Sequence, residues 1–161
     1  MDIREKANMK GSYLIKAINV DTGEPMKIWR FDNQLTTINQ DIRSQMLAGN
    51  YTAGNNALEI RYFAFGTGNT PPTASDTRLE SEIYRKQVTQ LTQSGAGVVT
   101  SEVSLGSLEC NYHIQEIGVF CGPSATADEN TGTMISRVLF DLDKNTNIVL
   151  NIVRTDTCTL N

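Results

Sequence analysis

The sequence predicts a mainly β fold: an antiparallel, β-sandwich-like domain with one packed amphipathic helix and a short helical turn. Three observations carry this. Apolar residues recur with a period of two in segment after segment, turn-forming residues separate those segments at short intervals, and a single stretch, Thr37 to Gly49, has a helical period instead. At 161 residues and 39% hydrophobic, the chain has the length of one domain able to bury a core. Residues 1–161 are therefore read as a single domain, with 1–12 as a flexible or partner-contacting arm.

In chain order, Tyr13 to Val20 is the first expected strand. Asp21-Thr22-Gly23-Glu24 supplies turn chemistry, and Lys27 to Phe31 returns as the partner, making an amino-terminal hairpin. Thr37 and Gln40 then form a capping box, Ile38, Ile42 and Met46 fall on one helical face, and Gly49 sits where a left-handed cap ends a helix of about three turns. So short a helix is marginal alone, so its apolar stripe is expected to cover a sheet. Leu58 to Phe65 is apolar on both faces and reads as a central strand. Gln87 to Thr92, Val98 to Leu105, Ile114 to Phe120, Ile135 to Phe140 and Asn147 to Thr155 come next as strands. In the last, Ile148, Leu150 and Ile152 face one way and Val149, Asn151 and Val153 the other. Gly122 to Gly132 reads as an exposed, mobile loop.

The most distinctive stretch is FAFGTGNTPPTASDTRLESEIYR, Phe63 to Arg85. Gly66 and Gly68 permit backbone angles that other residues resist, Pro71 and Pro72 stiffen the segment after them, and Asp76 or Thr77 caps a short helix whose Glu80 completes a second capping box. These residues are spent on shape.

Together with a downstream strand, they carry a resemblance. Gly-x-Gly, a proline-rich step, Asp-Thr-x-Leu-x-x-Glu and an aromatic-Arg pair resemble the amino-terminal attachment domain of tail-collar fibre proteins from tailed bacteriophages. His113-Ile114-Gln115-Glu116-Ile117-Gly118-Val119-Phe120 is similar to that family's aromatic-Ile-Arg-Glu-Ile-Gly-Leu-aromatic strand, with Gln115 in place of the usual Arg. Gly132-Thr133-Met134-Ile135-Ser136-Arg137-Val138 is similar to the strand that comes after it. The resemblance spans about Ala57 to Thr155. It implies a virion structural protein, assembled in the host cytoplasm, that contacts copies of itself as a trimer and other virion proteins. The chain stops where a fibre protein continues into its shaft, so a standalone adaptor is expected, with a capsid decoration protein as the nearest alternative. The resemblance also places a Glu and an Arg at Glu82 and Arg85, and implies contact across a subunit boundary there. Trp29, Gly66, Gly68, Pro71, Pro72, Asp76, Glu82, Arg85, Glu116 and Gly118 are the candidate interface or structural residues.

Other functions find less support in the residues. A net charge of −4 with 14 scattered Lys and Arg does not make the clustered basic surface that nucleic acid requires, and no apolar run reaches the roughly 20 residues of a membrane span. The amino-terminal residues are charged, unlike a secretory leader. Cys110, Cys121 and Cys158 lack Cys-x-x-Cys spacing; Cys110-x-x-His113 with Cys121 and Cys158 is half a zinc motif, and buried thiols at strand ends are the expected reading. His113, the single histidine, has no well-placed nucleophile. The carboxylate pairs Glu80 with Glu82, and Asp141 with Asp143, are read as solvated charge, and no cofactor is expected. Trp29 reads as core more readily than as the sugar-stacking platform of a carbohydrate-binding module, and Tyr51 with Gly54-Asn55-Asn56 as ordinary loop.

Overall fold

In a computed structural model, residues 7–37 and 59–160 are described, and they form two antiparallel sheets around one core. β1 (Ala7–Asn19) and β2 (Pro25–Asp32) make the expected hairpin. β3 (Gln34–Leu35), β4 (Ile60–Gly66), β5 (Glu82–Gln87), β6 (Gln90–Gly95), β7 (Val98–Leu105), β8 (His113–Cys121), β9 (Thr133–Asp143) and β10 (Ile148–Leu160) complete the order. The first sheet runs β2-β1-β10-β7-β6 and the second β3-β9-β8-β4-β5. At the first turn, the Asn19 side chain accepts hydrogen bonds from the Asp21 and Thr22 amides at 2.9 and 3.0 Å, a local bond that ends strand pairing and starts the return.

The period-two pattern becomes the core. Tyr13, Ile15, Ala17, Val103, Leu105, Ile148, Leu150 and Ile152 line the inner face of the first sheet, and Phe63, Phe65, Ile117, Val119, Val138 and Phe140 that of the second. Trp29 packs edge-on against Phe140 of the opposite sheet, with ring centroids 4.9 Å apart, so it bridges the layers at the margin of the core. A β-bulge between Val119 and Phe120 on their β9 partners turns Met134 to the outer face while Ile135 and Val138 stay inside.

Three expectations are corrected. The strand expected over Gln87 to Thr92 is two strands in different sheets: β5 pairs with β4, β6 with β7, and Val88 and Thr89 carry the chain across, their amides bonding Arg61 and Glu102 carbonyls at 2.9 and 2.8 Å. The pattern of apolar residues is the same on either side of such a crossing, so periodicity alone runs through it. Residues 7–12 are not a flexible segment but the first half of β1, in register with Thr155 to Leu160, while residues 1–6 of the expected arm lie outside the described residues. The short capped helix after Pro72 is absent, because its capping residues bond elsewhere. β3, two residues long, carries too little pattern to be read from sequence. The helix expected from Thr37 to Gly49, Tyr51 and the Gly54-Asn55-Asn56 loop lie outside the described residues except for Thr37, whose amide bonds the Ala74 carbonyl at 2.8 Å.

Candidate attachment site

Between β4 and β5 the chain leaves the second sheet at Gly66 and rejoins it at Glu82, and the intervening 67–81 arm folds back over the outer face of that sheet. It is held there by Glu116, which faces outward from β8 yet is fully buried. Glu116 Oε1 accepts from the Gly68 and Ser81 amides at 3.1 and 2.8 Å; Oε2 accepts from the Glu80 amide at 3.1 Å and from Arg137 Nε at 2.8 Å. The two ends of the arm are thereby gathered on one carboxylate. A buried carboxylate is costly unless all its lone pairs are engaged, and here four donors engage them.

Arg137, from β9, extends the knot. Its Nη1 donates to Asp76 at 2.9 Å and its Nη2 to the Thr70 carbonyl at 3.2 Å, so the guanidinium touches the arm on both sides of the prolines. Asp76 also takes the Thr73 amide and hydroxyl at 3.0 and 2.6 Å, and Glu80 takes the Thr70 amide and hydroxyl at 3.0 and 2.9 Å. These bonds explain the missing helix: the side chains that would cap it reach back to Thr70 and Thr73. Pro71 and Pro72 thus span two pinned threonines. Partial burial alone would push the Asp76 carboxyl up, but the Thr73 bonds and the Arg137 charge outweigh it and hold the group below its ordinary range.

Gly66 and Gly68 serve this knot through their size rather than through unusual angles; neither has a positive φ. A β-carbon at Gly66 would stand 2.4 Å from Glu116 Oε1 and 2.5 Å from the Ser81 carbonyl, and one at Gly68 2.6 Å from the same carboxylate oxygen. Gly118 does the same for the arm's apolar anchor. Leu79 is buried against Ala64, Phe120, Ala125 and Met134, and a β-carbon on Gly118 would come within 2.8 Å of its Cδ2.

Next to the knot, Glu82 and Arg85 form a bidentate pair at 2.6 and 2.9 Å, both side chains 1% exposed. Glu82 is therefore not the solvated charge expected of it. Arg85 lies over the Phe120 ring at 4.4 Å and donates to the Thr126 and Thr131 carbonyls at 3.1 and 2.8 Å, while Glu82 accepts from the Asn130 amide at 3.0 Å. The 122–132 loop, exposed from Thr126 to Asn130, is thus lashed to β5. The structure gathers Gly66, Gly68, Asp76, Glu116 and Gly118 with Arg137 into one knot, sets Glu82 and Arg85 beside it, and leaves Trp29 apart. Arg137 lies within the Gly132 to Val138 motif, which gives no sign of its role; an arginine in phase with outward-facing positions of a strand reads as surface.

Elsewhere, His113 is half-exposed and pairs with Asp141 at 2.6 Å, and Asp141 and Asp143 are exposed as expected. Cys110 and Cys121 are buried thiols, pushed by desolvation up to about 12 and about 11. Among the described residues, no three His, Cys, Asp or Glu side chains converge as a metal site.

The model of phage tail-collar fibre proteins, amino-terminal part, matches residues 31–135, more than half of the chain and nearly all of the knot, Arg137 lying just beyond its end. This chain belongs to the phage tail-collar fibre family. The match begins earlier and ends earlier than the resemblance carried by the motifs. No curated protein and no solved structure matches it. The tail-collar fibre family is one of structural proteins of the phage tail, which makes the chain a virion component.

Proposed function

We propose that this tail-collar fibre family member is an adaptor that docks a fibre or appendage onto the baseplate or neck of the phage tail, through oligomeric β-rich interfaces with copies of itself and with other virion proteins. The observation that supports the mode of docking is the β6 edge. Edge strands are normally guarded by charge, proline or cover. β2 begins at Pro25 and carries Lys27 and Arg30, β3 is two residues long, and β5 is bound to the 122–132 loop. β6, Gln90 to Gly95, is exposed at all six residues, carries no charge and no proline, and is in regular register with β7 from Gln90 to Gln93. A strand added there extends the first sheet through backbone bonds. The pinned arm keeps its side of the second sheet in one shape, so docking costs little ordering entropy.

Size-exclusion chromatography with light scattering on the full chain at micromolar concentration tests this. An oligomer is expected, and Gln90→Lys with Thr92→Lys, which charges the edge on the face opposite to buried Ser101, is expected to dissociate it. A monomer that stays monomeric with the other tail proteins added would overturn the reading.

A further inference from the structure

A second polar cluster lies inside the sandwich, away from the arm. Tyr13, Arg154 and Ser101 stand side by side in one row across β1, β10 and β7, all fully or nearly fully buried. Arg154 has the phase of Ile148, Leu150 and Ile152, so it points between the sheets and is 0% exposed. Its Nη2 donates to Asp156 at 2.6 Å. Beyond the approach of Tyr13 to the guanidinium, its Nε and Nη1 make no hydrogen bond of ordinary length and angle, and neither do Ser101 Oγ, Asp156 Oδ2 and Asn33 Oδ1, all of them buried. These atoms are neighbours. Asp156 faces Gly11 in the adjoining row, and a β-carbon on Gly11 would stand 2.2 Å from Asn33 Oδ1. Asn33 Nδ2 donates to Ser136 Oγ of the opposite sheet at 2.7 Å, Ser136 Oγ is 3.1 Å from the Tyr13 hydroxyl, and the Arg154 guanidinium lies 5.8 Å from the Tyr13 ring centre.

We infer that the space bounded by Arg154, Ser101, Asp156 and Asn33 is a binding site for a small cluster of ordered water that joins the two sheets. A buried guanidinium with two idle donor groups is destabilising unless something accepts from it. The occupant must also donate, because Asp156 Oδ2 and Asn33 Oδ1 are idle acceptors. An anion offers no donor and would meet the Asp156 carboxylate, which already neutralises Arg154. A cation would meet the guanidinium. Water satisfies both sets at once, and buried water occupies sites of this kind, with two to four polar partners.

The test is water-to-protein cross-relaxation on the ¹⁵N-labelled full chain, read at the Arg154 Nε–H. The expected result is a water contact with opposite signs in the laboratory-frame and rotating-frame experiments, the mark of a long-lived molecule. It should persist in Ser101→Ala and in Tyr13→Phe, which remove the hydroxyls able to relay exchange with solvent. No contact, a contact with equal signs, or its loss in either variant would overturn the proposal. So would a saturable shift of the Nε–H resonance on chloride titration, which would assign an anion.

Discussion

Replacing Glu116 by Gln tests the central knot most directly, because the substitution changes almost no volume. The carboxylate accepts four bonds, two at each oxygen. Glutamine keeps one carbonyl oxygen, so two of the four donors face an NH₂ group instead, and Arg137 loses one of its two close carboxylate partners. Each buried donor left unmatched costs about 1–3 kcal/mol, and breaking a buried ion pair about 3–5 kcal/mol, so a loss of about 3–5 kcal/mol in all is expected. For a chain of this length that is a fall in Tm of roughly 10 °C. Because three of the four donors on Glu116 are amides of the arm, hydrogen exchange should accelerate first at Gly68, Glu80 and Ser81, at denaturant concentrations where the core strands remain protected. Glu116→Ala should cost more than Gln, by about 2 kcal/mol or more, because it also removes the acceptor that Gln keeps and leaves all four donors unmatched. A Gln variant within about 0.5 kcal/mol of the native chain, with unchanged exchange at those amides, would refute the idea that this carboxylate holds the arm.

Gly118→Ala should cost about 1–3 kcal/mol in denaturant unfolding by crowding Leu79, and should cost clearly less in a Leu79→Ala background, where the contact is gone; equal costs in both would show that the glycine serves something else. The bond to Asp141, more than any other influence, raises His113 above its ordinary value of 6.5, so the pair's contribution is fully present below about pH 6.5 and fades as pH rises through the higher folded value. An NMR titration of the imidazole should give a midpoint above 6.5 that falls in Asp141→Asn, and an unshifted midpoint in the native chain would contradict the pairing.

Strands and polar side chains differ in how legible they are in the chain, and the reason is physical. Val98 to Leu105 is placed by the sequence to the residue, and Ile114 to Phe120 and Ile135 to Phe140 within one to three residues, because each buries an alternating face that leaves its period in the chain. The turn from β5 to β6 leaves no such trace, since changing sheets alters the partner and not the pattern. The motifs mark Gly66, Gly68 and Glu116 as positions of consequence, but the reason they suggest for the two glycines is backbone freedom, whereas the structure shows a lack of room beside a carboxylate 48 residues on from Gly68. Such a contact is set by sheet register, which a single sequence does not state. Asp76 and Glu80 illustrate the same competition: a capping box and a long-range knot use the same residue types, and the knot wins because Arg137 and two threonines are within reach. Arg154 is partly readable, since the phase that turns Ile148, Leu150 and Ile152 inward continues to it.

β10 runs thirteen residues, flanked by β1 along its whole length and by β7 over much of it. Antiparallel ladder bonds lie perpendicular to the strand. Tension drawn along β10 from its Leu160 end therefore loads both rows in shear, with many bonds sharing the force at once, whereas a sideways pull on the same end would open them one at a time. In a structural part of a phage tail, the direction in which force enters this strand would decide whether the domain behaves as a rivet or as a zip.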